Sequence, residues 1–305
     1  MYYILHQHYE SVPRLVKIVS PEKINEIYKI FDNEEFLKLK PRARLKFLQE
    51  SLPIPDSKHF TLDNFKKVAQ QTVDEMEEYN IAHVDLRLSL HLERWKDVNG
   101  AGHAIKIYNQ ALSGYIGKSI SYIAAIDLTK SKDEIKKSLV ALFEEKNINL
   151  ISGIDITLCE GDLDKFEKYY KDLLEIRNKF NKKIIIHLGE FTSGTVNLEI
   201  LKKLKPDRIV HGIALLESAE AIEFIKKNEI CLDICPVSNK ILGVVNWELY
   251  NPIKKALTMG IPVTVNTDDP ITFNTNIYKE IKTANLSQQE LKVINANSIR
   301  FAEKF

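Results

Sequence analysis

The sequence predicts a protein of the α/β class, a (β/α)8 TIM barrel with extra helices inserted after strand 1. Short apolar or β-branched runs recur along the chain, and longer segments with apolar residues at helical spacing separate them, which is the pattern of repeated βα units around a parallel sheet. A chain of 305 residues commonly forms such a barrel as a single domain. The predicted strands are Tyr3–His8, Ala82–Ser89, Ser119–Asp127, Leu150–Thr157, Lys183–Leu188, Arg208–His211, Glu229–Cys235 and Pro262–Asp268.

Amphipathic patterns fill the intervals between these strands, as in the spacing of Leu163, Phe166 and Tyr170. The interval from Val12 to Tyr79 is far longer than one crossover helix, and several prolines punctuate it. We interpret this interval as extra helices that cap the barrel mouth. The sequence therefore predicts one domain over residues 1–305 with a helical cap at about 12–79.

The charge balance and the cysteine count exclude several classes of protein. The chain has 43 basic and 42 acidic residues, so it lacks the positive field that would attract nucleic acid. We find no secretory leader and no apolar run long enough to span a membrane, and we expect a soluble, cytoplasmic protein. The three cysteines, Cys159, Cys231 and Cys235, are expected to be reduced and buried.

Function in a barrel of this kind is built at the carboxyl ends of the strands, because the loops that follow them converge on one mouth. The polar residues that the sequence places there are His6, His8, His187, Glu190, His211, Asp268 and Asp269.

These residue types suit a metal centre. His6 and His8 are two residues apart, so both imidazoles project from the same face of a strand. Imidazole and carboxylate are normal zinc ligands, and a catalytic zinc site leaves one position for water. Each residue alone would be read more simply as a hydrogen-bonded barrel histidine or a turn aspartate. Their joint occurrence at strand ends favours a metal site.

Six short segments resemble the adenosine deaminase family, and they occur in the family's order along most of the chain. The segments are Leu5-His6-Gln7-His8, His187-Leu188-Gly189-Glu190, Arg208-Ile209-Val210-His211-Gly212, Cys235-Pro236-Val237-Ser238-Asn239, Asn266-Thr267-Asp268-Asp269-Pro270 and Asn297-Ser298-Ile299-Arg300.

The resemblance implies one Zn²⁺ per chain and a hydrolytic deaminase that converts an aminopurine, such as adenosine, adenine or a modified adenosine, to its 6-oxo product. It implies Glu190 as the proton donor to the ring nitrogen. It further implies that His211 orients and deprotonates the attacking water and that Asp269 binds a purine nitrogen. The zinc ligands that it implies are His6, His8, His187 and Asp268.

Two positions bear on the identity of the substrate, and strand 4 bears on the number of metal ions. Glu10 occupies a position where adenosine-specific relatives carry aspartate near the ribose, so we expect Glu10 to face the substrate. Gly161 aligns with a glycine that touches the purine in the family. Strand 4 offers no bridging lysine or glutamate, which favours one metal over two. We expect Asp155 on that strand to anchor the following loop, with a role as a distant ligand as the alternative.

Two other functions remain open at this point. One is a metal-dependent amidohydrolase or phosphoesterase that acts on a non-purine substrate, although no lysine stands beside the ligands in the matched motifs to bind a phosphate. The other is a binding protein that keeps the fold without catalysis, against which the intact ligands and acid argue.

Overall fold

Eight parallel strands form a nearly closed barrel, and they follow one another in sequence order around it. This computed structural model describes residues 1–158, 163–191 and 194–302. Helices alternate with the strands, so the predicted (β/α)8 architecture is confirmed. The strands are β1 (Tyr2–His8), β2 (Ile81–Ser89), β3 (Ser119–Asp127), β4 (Gly153–Thr157), β5 (Lys183–Leu188), β6 (Arg208–His211), β7 (Cys231–Ile234) and β8 (Val263–Val265).

Side chains and backbone of the segment after β8 close the barrel against β1. The side-chain oxygen of Asn266 accepts hydrogen bonds from the backbone N–H groups of Leu5 and His6, at 2.8 and 3.1 Å. Two residues later, the backbone carbonyl of Asp268 accepts from the N–H of His8 at 2.7 Å. The barrel is thus joined at the point where two predicted metal ligands stand on opposite sides of the seam.

A charged network crosses the barrel interior below the mouth. The guanidinium of Arg208 is 1% exposed and lies 2.7 Å from a carboxylate oxygen of Asp85 and 3.3 Å from one of Asp233. Its Nη2 also donates to the carbonyl of Leu5 at 2.9 Å. A buried cation with this many partners ties β1, β2 and β7 to β6, because a buried carboxylate left without its partner is strongly unfavourable.

Extra helices follow β1, as the long interval predicted. Proline occupies the first turn of α2 and of α4, where its missing N–H is not needed. Asn33 and Thr61 accept backbone hydrogen bonds at the starts of α3 and α5. The buried face of α5 packs against β2 and α6. The helices of this cap are α1 (Ser11–Val19), α2 (Pro21–Ile30), α3 (Glu34–Lys38), α4 (Pro41–Ser51) and α5 (Leu62–Glu78).

The remaining helices surround the barrel. They are α6 (Gly100–Leu112), α7 (Lys132–Phe143), α8 (Glu145–Ile148), α9 (Leu163–Phe180), α10 (Gly194–Leu204), α11 (Ala219–Lys227), α12 (Pro236–Ile241), α13 (Pro252–Thr258), α14 (Ile277–Ala284) and α15 (Gln288–Ala302). Among the described residues, none of the helices combines the length and apolar composition that crossing a lipid bilayer requires.

Three strands are shorter than the sequence predicts. Residues 150 and 151 form backbone hydrogen bonds back to 147 and 148, so a turn precedes β4. Pro236 begins α12 and ends β7 just before it. After β8 the backbone of Asp268 adopts a φ of 56°, which a regular strand cannot contain. In each case local turn geometry makes the strand shorter than the apolar pattern predicts.

Gly212, which follows β6, is a position where a side chain would have no room. Its φ is +69°, and a Cβ built there would lie 2.8 Å from Leu232. Gly260 has a similar φ of +70° with open space around it. Gly260→Ala should therefore lose about 1–2 kcal/mol of unfolding free energy to backbone strain alone, whereas Gly212→Ala should lose a further ~1–3 kcal/mol to overpacking. Urea titrations of both variants measure the difference, and equal losses would contradict the close packing described here.

Candidate active site

Four of the predicted residues converge at the barrel mouth. His6 and His8 project from the same face of β1, His187 lies near the end of β5, and Asp268 follows β8. One ligand atom from each of the four lies within 4.8 Å of all the others. The ring centroids of His6 and His187 are 4.7 Å apart, and those of His6 and His8 are 4.8 Å apart. The structure therefore brings together the four side chains that the sequence assigns to a metal.

The chemistry of these atoms fits a divalent cation. The Nε2 atoms of His6, His8 and His187 are buried, and among the described residues none of them has a hydrogen-bonding partner. Burial lowers the pKa of both His6 and His8 to about 4, so these imidazoles are neutral at physiological pH and their lone pairs are available. Three inward-facing nitrogens and one carboxylate make the donor set of a catalytic zinc site.

Asp155, on β4, supports two of the ligands. Its carboxylate lies 2.9 Å from Nδ1 of His187 and 3.7 Å from Nδ1 of His6. Burial alone would raise the pKa of Asp155, but His187 and Arg87, whose Nε is 3.1 Å away, hold it below its ordinary value. The carboxylate therefore accepts a hydrogen bond from the Nδ1–H group of His187, and Nε2 of that ring is left to face the proposed metal. Among the described residues, the contacts of Asp155 are with these groups, while residues 159–162 of the loop that we expected it to anchor lie outside the described part of the chain.

Asp269 lies beside the proposed ligands and contacts His8. Its carboxylate is 3.0 Å from Nδ1 of His8, which directs Nε2 of that ring toward the ligand cluster. The Asp269 side chain is 26% exposed and lines the cavity. Burial and the charge of adjacent Asp268 raise the pKa of Asp269 well above its ordinary value. It can contact a ligand in the cavity while it holds His8.

Glu190 and His211 form a pair next to the ligand cluster. Oε2 of Glu190 lies 3.3 Å from Nε2 of His211. Burial and the charge of Asp268 raise the pKa of Glu190 well above its ordinary value, whereas burial lowers the pKa of His211 to about 3. The arrangement thus holds a carboxylic acid and a neutral imidazole side by side. Asn239 contacts both, through hydrogen-bonding distances of 3.1 Å.

A cavity of about 320 Å³ opens onto this cluster. Its polar wall contains His8, His187 and Asp268 together with the Glu190–His211 pair, and its other wall is apolar. The apolar wall comes partly from the cap, where Leu45 and Leu48 of α4 and Leu52, directly after that helix, recur at helical spacing. That spacing was visible in the sequence, but no local signal showed that this face covers the site. A larger cavity of about 680 Å³ adjoins the first, and His8, Glu10, Arg87, Asp127 and Asp269 line both.

Glu10 stands at the boundary of the two cavities, and its carboxylate is already bonded. Its oxygens accept hydrogen bonds from the backbone N–H groups of Ile271 and Thr272, both at 2.8 Å, and from the hydroxyl of Thr272 at 2.6 Å. Glu10 therefore holds the loop after β8, in addition to lining the cavity. Gly161, which the sequence also assigned to the substrate, lies outside the described residues.

Comparison with known proteins gives one family and several related structures. The family model for adenosine deaminase matches residues 34–303. The adenosine deaminase of Clostridium botulinum strain Okra is 28% identical over 260 residues, which cover 81% of this chain and 74% of that protein. His6 and His8 precede the range matched by the family model, so their assignment depends on the geometry described above.

Solved structures share the whole fold. Adenine deaminase from Arthrobacter aurescens superposes with a TM-score of 0.72 at 23% identity and covers 99% of this chain and 95% of its own. The Arabidopsis protein ADAL in complex with GMP gives a TM-score of 0.73 at 15% identity, with coverages of 98% and 91%. An amidohydrolase from Burkholderia ambifaria with bound Zn gives 0.72 at 17% identity, with coverages of 98% and 85%.

Removing the charge of Asp155 should weaken metal binding without removing a ligand. We expect Asp155→Asn to lower metal affinity by about 10- to 100-fold, because groups that orient ligand histidines typically contribute that much. Asp127→Asn is the matched control: this carboxylate ends the neighbouring strand and lines the same cavity, but it accepts its hydrogen bonds from Thr129. Competition titration with a chromophoric chelator gives both affinities. Equal affinities for the two variants would show that Asp155 does not support the ligands.

Proposed function

The chain belongs to the adenosine deaminase family and is a hydrolase that deaminates purines, and from this premise we propose that it uses one zinc ion to convert a 6-aminopurine to its 6-oxo product with release of ammonia. The observation that carries the proposal is the meeting of three unpartnered Nε2 atoms and a carboxylate beside the Glu190–His211 pair. We propose adenosine, adenine or a modified adenosine as the substrate.

His6, His8, His187 and Asp268 would hold the metal. A zinc ion in such a shell lowers the pKa of a bound water from its value in bulk water toward ~7, and so supplies a nucleophile at neutral pH. The Burkholderia ambifaria neighbour, which was solved with bound Zn, supports zinc as the metal. The donor set, with three imidazoles and one carboxylate, also supports zinc, because imidazole and carboxylate are normal zinc ligands.

Glu190 supplies the proton that the reaction needs on the ring. Addition of water to an aromatic carbon places negative charge on the adjacent ring nitrogen unless that nitrogen is protonated. Burial and the charge of Asp268 raise the pKa of Glu190, which favours the protonated form of its carboxyl group. The carboxyl group can therefore donate to the ring nitrogen as the new C–O bond forms.

His211 and Asp269 position the reactants. His211 faces the same space as Glu190 and orients the attacking water. Asp269 lies against His8 and lines the cavity, and we propose that it binds a purine nitrogen. After the C–O bond has formed, the bond from carbon to the amine breaks, and one proton of the water leaves with the amine as ammonia. The other returns from the new hydroxyl group to Glu190 as the oxo group forms.

The two adjoining cavities suggest how the substrate lies. The cavity of about 320 Å³ contains the reacting groups and has the apolar wall that a flat aromatic ring requires. Any group attached to the ring would extend into the cavity of about 680 Å³. We propose that Glu10, at the boundary, and Gly161 contact the substrate away from the reacting carbon, so that they influence which aminopurine is accepted.

Ultraviolet absorbance provides the direct test of this function. The purified protein is mixed in turn with adenosine, adenine, deoxyadenosine and N6-modified adenosines, since conversion of the amine to the oxo group shifts the purine absorbance. At least one of these should be converted. If none is converted by protein that has its metal, the alternative of an amidohydrolase with a non-purine substrate gains support.

Glu190→Gln separates proton donation from metal binding. Glutamine keeps the size of the side chain but cannot deliver a carboxyl proton, so kcat should fall by on the order of 10²–10⁴ while zinc content and substrate affinity change little. His6→Ala is the control, because it removes a ligand and should lose metal and activity together. Loss of zinc from Glu190→Gln would make Glu190 a ligand. Near-normal turnover would mean that the proton has another source.

A further inference from the structure

Asn239 is buried at the back of the site, and the proposed reaction has assigned it no role. It lies in α12, within the segment Cys235-Pro236-Val237-Ser238-Asn239, and it is fully buried. Its Nδ2 is 3.1 Å from Oε1 of Glu190 and also 3.1 Å from Nδ1 of His211. A primary amide nitrogen carries two N–H groups, so one Asn239 side chain can donate to both neighbours at once.

The helix that carries Asn239 is fixed in place. Glu280, a buried residue of α14, accepts a hydrogen bond from the backbone N–H of Val237 at 2.8 Å, and its other oxygen accepts from the hydroxyl of Thr275 at 2.6 Å. The backbone N–H of Asn239 donates to the carbonyl of Cys235 at 3.0 Å. The amide is therefore held at a defined position relative to Glu190 and His211.

We infer that Asn239 is a positioning residue that fixes the tautomer of His211 and selects the oxygen of Glu190 that carries the reacting proton. This inference rests on the proposed function for its catalytic meaning. An Nδ1 that accepts a hydrogen bond has no proton, so neutral His211 carries its proton on Nε2. An Oε1 that accepts from the amide is the carbonyl oxygen of the acid, so the acidic proton lies on Oε2.

This assignment changes the path of the proton. Oε2 of Glu190 gives its proton to the ring nitrogen as water adds to the ring carbon, which leaves Glu190 as a carboxylate. Nε2 of His211 already has a proton, so it orients the water as a donor and cannot remove a proton from it. The carboxylate of Glu190 takes the proton from the water instead. It then passes this proton to the amine, the C–N bond breaks and ammonia leaves, and the proton of the new hydroxyl group returns to Oε2 of Glu190 as the C=O bond forms. The family resemblance implies a different role for His211, that of the base.

If the amide of Asn239 were turned so that Oδ1 and Nδ2 exchanged places, the proton of His211 would lie on the other ring nitrogen. This difference makes the inference testable. With Oδ1 of Asn239 at both contacts, His211 would have to donate from Nδ1 and Glu190 from Oε1. Oδ1 has no hydrogen-bonding partner among the described residues in the orientation that the structure shows. The position of the proton on His211 therefore distinguishes the two orientations.

The tautomer can be read by long-range ¹H–¹⁵N spectra of protein labelled at its histidines, with the His211 signals assigned from a His211→Asn variant. We expect His211 of the wild-type protein to be protonated on Nε2. In Asn239→Asp, a carboxylate replaces the donating amide, so the proton should move to Nδ1. A wild-type His211 protonated on Nδ1 would overturn the inference, and so would a tautomer that is the same in Asn239→Asp.

Kinetics supply the second measurement. Asn239→Ala should retain its metal and lose about 10- to 100-fold in kcat, with a much smaller change in KM. Ser238→Ala is the matched control, since Ser238 is the adjacent fully buried residue and should keep wild-type turnover. Unchanged turnover in Asn239→Ala would overturn the inference. The spectra need no turnover, so the failure of every aminopurine as a substrate would reject the proposed function while leaving the tautomer result intact.

Discussion

Closure of the barrel at the seam between β1 and the segment after β8 is the contact on which the site depends. His6 and His8 lie near the start of the chain and Asp268 near its end, and they become neighbours because the carbonyl of Asp268 accepts from the backbone of His8 and Asn266 accepts from Leu5 and His6. His6, His8 and Asp268, three of the four proposed metal ligands, meet across this seam. Any change that opens it separates the carboxylate from the two imidazoles.

Burial affects the groups at the mouth in opposite directions, and their charged neighbours decide the outcome. It lowers the pKa of the imidazoles, which favours their neutral form, and it raises the pKa of Glu190, which favours the protonated form of its carboxyl group. Asp155 is equally buried, but Arg87 and His187 lie against it and hold its pKa below the ordinary value. One desolvated mouth thus shifts the pKa values of neighbouring groups in different directions.

The backbone also contributes to the arrangement. His211 and Asp268 have φ values of 64° and 56°, in the left-handed region that side chains other than glycine and asparagine seldom occupy. His211 ends β6 and Asp268 follows β8. The side chains of both residues line the cavity at the mouth. Strain of this kind persists only where surrounding contacts hold the residue. The ring of His211 contacts Asn239, and the backbone carbonyl of Asp268 accepts a hydrogen bond from His8 across the seam.

The barrel and the convergence of four possible metal ligands were predictable because they depend on local patterns and on strand ends. Alternating apolar and helical segments gave the eight strands, and His6, His8, His187 and Asp268 followed from the rule that strand ends converge. The supporting contacts were not predictable. Asp155 reaches His187 across neighbouring strands, and Glu10 bonds the loop after β8, so their partners depend on register and on side-chain direction. The leucine face of α4 showed its periodicity but not what it covers.

Anomalous scattering at the zinc absorption edge, measured on crystals of the protein as purified, tests the central claim most directly. The account predicts one strong peak per chain, between Nε2 of His6, His8 and His187 and the carboxylate of Asp268. A second group of possible ligands, His211 and Cys235 with Asp268, lies beside it. A peak on that second group, two peaks of equal height, or none at the three Nε2 atoms would contradict the account.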